Sequence, residues 1–244
     1  MRPTAQLDAL LAASAEERTR AHWESYLRGA ARFRGVPMAG VRRAVRTVWR
    51  EHGLEGRDVD ENLGLALEWF ALPYSEDKLA AVLLVAEHLA GGLEDRHAEV
   101  LREPLRRGDV ADWNVTDWYA AKSLHAFLVG GGGPGRRGPL LAGWCRGPGL
   151  WERRAGLVAF VKVASTVGPG PDDDVLAALV LDACANNLVV DERFAHTGPG
   201  RVLRELSRGR PGDVAAFVEA HPELSAEGRR MATARPREGP YRRR

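Results

Sequence analysis

Residues 112–118 (DWNVTDW) hold the pairing of side chains in this sequence best suited to chemistry. Trp113 and Asp117 are four apart, so on a helix both leave the same face, one turn from each other. A carboxylate then stands beside an aromatic plane, where it can stabilise a developing positive charge or orient a water. The same spacing also arises from packing alone, with Trp113 in a core and Asp117 solvated. Trp118 and Tyr119 fall on other faces and read as packing residues. A second pair, Arg153 and Arg154, sits in LWERRAGLVAFV. Neighbours on a helix diverge by about 100°, so these two cannot face the same partner. A third cation, Arg201, lies in ERFAHTGPGRVLRELS, directly after Gly198-Pro199-Gly200, where a proline would disturb the first turn of a helix running through it.

The remaining reactive types lack partners at useful spacing. His88, His125 and His196 fall in different helical stretches without a neighbour at metal-ligand distance in sequence, and no metal site is expected. Cys145 and Cys184 are far apart and form no CxxC, so they read as buried thiols rather than a disulfide framework or zinc site. Ser165 and Ser207 carry no nucleophile signature. The glycine-rich run at 130–138 precedes no Gly-Lys-Ser/Thr and reads as a linker between helices, the most flexible interior segment.

The elements that must position these residues are helical throughout. Apolar residues recur at three- and four-residue intervals over 5–13, 16–33, 39–51, 59–71, 75–89, 96–106, 112–129, 139–145, 150–165, 173–184, 191–206, 211–219 and 225–233. Start signals agree: Ser14 ahead of Glu16 and Glu17, Ser75-Glu76-Asp77, Asp172-Asp173-Asp174, and Ser225 before Glu227. Glycines and prolines at 91–92, 130–135 and 168–171 supply the breaks. Short-linked helices without strands predict an all-α solenoid, a curved stack of antiparallel helix pairs, although no fixed-period sequence repeat is present. Trp23, Trp49, Trp69 and Trp144 stand beside other apolar residues and read as core.

A chain of 244 residues, 45% of them apolar, is long enough to bury such a core. No stretch approaches the roughly 20 apolar residues that span a bilayer, and no basic segment leads into an apolar run at the N-terminus, so a cytoplasmic, nucleoid-associated protein without a membrane partner is expected. The net charge of +2 is unevenly spread. Residues 227–244 hold seven arginines against two glutamates, a local +5 that leaves −3 for residues 1–226. Lys78, Lys122 and Lys162 are the only lysines. A cationic surface made of arginine suits phosphate through the planar guanidinium fork, and also follows from a GC-rich coding bias.

Four segments read together resemble the AlkD-type DNA alkylation-repair glycosylases: residues 26–36 (YLRGAARFRGV), 72–89 (LPYSEDKLAAVLLVAEHL), 112–124 (DWNVTDWYAAKSL), and 150–206 with its WERRAGLVAFV and ERFAHTGPGRVLRELS stretches. They occur in that family's order and extend the likeness from about residue 20 to about residue 233. The resemblance implies HEAT-like helical repeats with a basic concave face cradling duplex DNA, as one domain over residues 1–233, followed by a basic tail, 234–244, expected to be disordered. It implies a monomeric glycosylase that hydrolyses the N-glycosidic bond of N3- or N7-alkylated purines in duplex DNA, without a metal or organic cofactor. By match to the family motif, Asp117 serves the hydrolysis and Trp113 packs against the sugar of the damaged nucleotide. Arg154 faces the DNA, which leaves Arg153 as a solvent or salt-bridge residue.

The match has departures. Arg201 occupies the place where related sequences carry a tryptophan that completes the aromatic cleft, and it is expected at the DNA. Asn114 stands where an Asp is common. These two keep a non-catalytic protein for distorted or branched DNA open as an alternative. Also open are a glycosylase for bulky adducts in antibiotic self-resistance and, from the −3 body, a protein-interaction scaffold.

Overall fold

Several helix starts carry a side chain that satisfies free N–H groups of the first turn. Asp58 accepts from the amide of Asp60 (2.7 Å), Asp112 from those of Asn114 and Val115 (2.8 and 2.9 Å), and Ser225 from that of Gly228 (3.1 Å). Pro171 opens a helix whose first turn carries Asp172, Asp173 and Asp174. The structure, a computed structural model, describes residues 1–235. Among these it contains α1 (Pro3–Ala13), α2 (Glu17–Tyr26), α3 (Met38–Glu51), α4 (Val59–Phe70), α5 (Ser75–Leu84), α6 (Ala98–Arg106), α7 (Trp113–Tyr119), α8 (His125–Val129), α9 (Pro134–Trp144), α10 (Leu150–Val158), α11 (Val161–Ala164), α12 (Pro171–Asn187), α13 (Arg193–Leu206), α14 (Pro211–Ala220) and α15 (Ala226–Thr233). No strand is present among the described residues; one isolated bridge pairs Arg32 with Tyr74. The fold is all-α, as expected. Most of the tail, residues 236–244, lies outside the described residues.

The contacts divide the chain at Ser123 into two units. In the first, alternate helices stack, α1 on α3, α3 on α5, α5 on α7 and α4 on α6, while α4 also packs on α5. Helix α5 runs through the middle, with Leu79 to Leu84 all buried, and Trp69 and Phe70 of α4 close the core. Within the second unit α9 packs on α12, α10 on α13, and α13 on α15. Trp144 is buried there. Of the four tryptophans read as core, Trp69 and Trp144 are. Trp23 and Trp49 are only half-buried, and each rests on another ring: Trp23 on Phe33, Trp49 on His88.

Several elements differ from the sequence expectation for identifiable reasons. The stretch 16–33 is helical only to Tyr26, because Arg28 and Gly29 adopt positive φ (51° and 77°) and turn the chain into a loop. The stretch 112–129 is interrupted by a wide π turn at Ala120–Leu124, and 75–89 by another at Val85–Leu89. The stretch 150–165 breaks after Val158, where the hydrogen bond of Phe160 shortens to Leu157 (3.0 Å). The linker expected at 130–138 shrinks to 130–133, because Pro134 opens α9. Those four residues wrap a buried cation. Arg137, 2% exposed, donates to the Phe127 carbonyl (2.8 Å) and lies over the Phe127 ring, and a Cβ on Gly131 would stand 2.0 Å from its guanidinium.

Helix α13 runs unbroken through Pro199, which is buried, so the proline removes one N–H bond without ending the helix. The glycines beside it permit close approach: a Cβ on Gly200 would come within 2.5 Å of the Gly228 carbonyl oxygen on α15.

Candidate active site

In the first unit the site begins with the cap of α7. Asp112 is 8% exposed and holds the amides of Asn114 and Val115, which fixes the first turn and places Trp113 at its start. Burial pushes the Asp112 carboxyl above the usual range; its two amide donors and the Lys78 cation work against that, and the charge of Asp117 adds to it. Lys78 donates to the Phe70 carbonyl (2.7 Å), and burial pulls its ammonium down while Asp109, Asp77 and Asp112 hold it up. A half-buried cation thus backs the acidic start of α7.

Trp113 and Asp117 are both half-exposed, one turn apart on α7. Trp113 meets Tyr26 edge to face, ring centres 5.7 Å apart and planes at 68°. Tyr26 stacks on His22 (6.3 Å, 6°) and meets Trp23 edge-on (5.8 Å), and Trp23 stacks on Phe33 (5.9 Å). Trp113 therefore ends an aromatic row whose next member, Tyr26, is 57% exposed. Asn114 is buried beneath the helix, and Tyr119 is wholly buried with its hydroxyl donating to Leu101. Trp118 is half-exposed under the Lys122 ammonium (5.5 Å).

The row is held by the loop after α2. Glu76 of α5, 2% exposed, accepts from the amides of Arg34 (2.9 Å), Gly35 (2.8 Å) and Val36 (3.0 Å). Arg34 pairs with buried Asp77 (3.0 Å) and covers the Tyr74 ring (4.3 Å). At Gly35 φ is +89°, and a Cβ would lie 2.2 Å from the Glu16 carbonyl oxygen, so only glycine fits there. A buried carboxylate clamping three successive amides fixes the path of the chain next to Phe33 and, through it, the ring row.

In the second unit Arg154 is not exposed as the family motif implied. It is 5% exposed, and its guanidinium donates to the Phe194 carbonyl (2.9 Å) and Thr197 Oγ1 (3.1 Å) while lying 5.6 Å from the Phe194 ring. Its bonds tie α10 to the first half of α13. Arg153, expected at solvent, is half-buried and donates to the carbonyls of Cys145 and Asn186, both at 2.8 Å. Arg201 is half-exposed on α13, seven residues after Phe194 and so on nearly the same face, about 10 Å further along the axis. Phe194 packs on Trp151 (5.2 Å) and carries the Arg193 guanidinium over its ring (5.3 Å).

Sequence reasoning missed Tyr26, Trp151 and Phe194. All three lie inside the segments that carried the resemblance, but only a tertiary contact distinguishes a ring that braces another from a ring in a core. The cysteines are buried, and burial pushes the Cys145 thiol up to about 12. Among the described residues no group of three His, Cys, Asp or Glu could hold a metal ion, and no helix is long and apolar enough to cross a membrane.

A solved structure of a predicted DNA alkylation repair enzyme from Enterococcus faecalis superposes on this chain with a TM-score of 0.75 at 14% identity, covering 93% of this chain and 98% of the other. At that identity the likeness concerns the fold. No curated protein matches the sequence. The family model for DNA alkylation repair enzymes matches residues 7–235. By that match, which takes in α7 with its capped Trp113–Asp117 turn and α13 with Arg201, the chain belongs to the DNA alkylation repair enzyme family.

Proposed function

We propose that this chain is a DNA glycosylase that releases cationic N3- or N7-alkylated purines from duplex DNA. The observation that carries the reading is Asp117, a half-exposed carboxylate one turn from the braced indole of Trp113. An alkylpurine bearing positive charge is already a good leaving group. As the bond from C1′ to the purine nitrogen breaks, its electron pair neutralises the base and positive charge moves to C1′ and the ring oxygen of the deoxyribose. The Asp117 carboxylate stabilises that charge and aligns a water whose oxygen bonds to C1′; the water's proton passes to solvent, leaving a free base and an abasic site. Trp113 offers its face to the sugar. Arg201 meets DNA from α13, and Arg154 acts through α13, as a positioning residue. The reaction asks for no metal or organic cofactor, and the protein is proposed to act as a monomer.

The test is single-turnover release of 7-methylguanine and 3-methyladenine from methylated duplex. Asp117→Asn is expected to slow release by about 10²- to 10³-fold, the scale of one lost preorganised electrostatic group, with duplex affinity nearly unchanged. Release by Asp117→Asn at the wild-type rate would sink the assignment. Arg201, a cation where related sequences carry a tryptophan, favours a second reading, a non-catalytic protein for distorted DNA. Duplex binding with no release above the spontaneous rate would establish that alternative.

A further inference from the structure

Helix α3 buries Val41, Ala44, Val45 and Val48 and turns Arg43, Arg46 and Arg50 outward, all three exposed. Their positions span an arc of about 60° and about 10 Å of helix. Among the described residues none of the three pairs with a carboxylate; Arg50 reaches only the Arg46 carbonyl (3.4 Å). Elsewhere in the first unit Arg34, Arg42, Arg96, Arg102, Arg106 and Arg107 are each matched by an acid. Glu87, next to His88, is held by Arg42 at 2.9 Å.

The three arginines rim an open groove of about 550 Å³, completed by Thr47, Trp49 and His88. Among its lining residues the Trp49 indole stacks on the His88 ring, with centres 4.4 Å apart and planes at 30°. His88 Nε2 is buried without a hydrogen-bond partner among the described residues. No residue of the groove belongs to α7 or to the aromatic row around Tyr26.

Unmatched guanidiniums at this spacing fit a polyanion better than a single small ion. A nucleic-acid strand carries one phosphate per 3.4 Å of helix axis, so about 10 Å of α3 faces about three consecutive phosphates, and the Trp49 indole suits the apolar face of a deoxyribose. We propose that Arg43, Arg46 and Arg50 form a phosphodiester-backbone subsite that holds the DNA strand away from the reacting nucleotide. It rests on the reading of the chain as a duplex-DNA enzyme and adds a grip that is independent of the lesion. The subsite contributes affinity and register, not chemistry.

The experiment measures binding of undamaged duplex by fluorescence anisotropy over a salt series, for wild type, for R43Q/R46Q/R50Q, and for the charge-matched control R96Q/R106Q/R107Q, whose arginines are engaged by carboxylates. Each neutralised phosphate adds about 0.9 to the slope of log K against log salt, so the α3 variant is expected to lose about two to three from that slope and the control less than one. An unchanged slope, or an equal loss in the control, overturns the subsite while leaving the proposed function intact. Wild type that does not bind duplex at all overturns both. A titration with inorganic phosphate at constant ionic strength that erases the difference between variants below millimolar phosphate would make this a site for the free anion and overturn the backbone assignment.

Discussion

The indole of Trp113 and the phenol of Tyr26 meet edge to face, 5.7 Å between ring centres, although 87 positions separate them in the chain. The contact reaches from the end of α2 to the start of α7, and it makes Tyr26 a positioning residue for the indole. Edge-to-face pairs contribute about 0.5–1.5 kcal/mol beyond their buried area. Tyr26→Ala is therefore expected to lower single-turnover excision by about 2- to 10-fold with undamaged-duplex affinity unchanged, while Tyr26→Phe, which keeps the ring, restores the rate. Equal loss in both variants would show that the hydroxyl, not the brace, matters.

Arg201 lies half-exposed on α13. Replacing Arg201 with Trp exchanges a cation for the aromatic ring that related sequences carry at this position. The rate of 7-methylguanine and 3-methyladenine release should rise, and base release measured by chromatography decides it. A fall in rate would mean that Arg201 serves the present reaction better than the ring does.

Arg154 is predicted to matter first for stability. Its guanidinium is buried and bonded to the Phe194 carbonyl and Thr197. Arg154→Met leaves those acceptors without their charged donor, at a cost of about 2–4 kcal/mol. For a chain of this size the melting temperature should fall by about 6–12 °C. A variant that melts with wild type but binds DNA weakly would return Arg154 to the DNA surface.

Acid sensitivity should trace in part to His125. Burial, with Lys162 adding, pulls its imidazole down to about 4 from an ordinary value of 6.5. The folded state thus keeps this ring neutral over a range in which the unfolded chain protonates it. Its contribution to stability is whole above pH 6.5 and is lost progressively as pH falls from 6.5 towards about 4. Urea midpoints at pH 7 and pH 4.5 should therefore drop less for His125→Leu than for wild type. An identical drop would place the acid limb elsewhere.

The amino-acid sequence by itself determined the helical class and most helix starts, because both follow from local chemistry. Ser225 and the acidic run after Pro171 stand where the first-turn amides need them, and the three- and four-residue rhythm of apolar side chains repeats along the chain. Trp113 and Asp117 were legible as a pair for the same reason, since four residues of helix bring side chains to one face wherever the helix goes.

Tertiary structure decided what local chemistry cannot carry. Glu76 opens α5, yet its carboxylate serves amides some 40 residues earlier, and only that clamp, with Gly35 at positive φ, fixes the loop beside Phe33 in the ring row under Trp113. Arg153 and Arg154 differ by 100° of helix rotation, and packing against α12 and α13 settles that both turn inward to backbone carbonyls rather than one to solvent. The π turns at Val85–Leu89 and Ala120–Leu124 rotate the residues that follow out of phase with a regular repeat, so faces read by period drift after them. Arg43, Arg46 and Arg50 were visible as three cations among thirty-five basic residues. That they stay unmatched around a stacked Trp49 and His88 depends on which carboxylates the folded chain brings near, and a carboxylate's reach across the fold is not written in the residues that flank it.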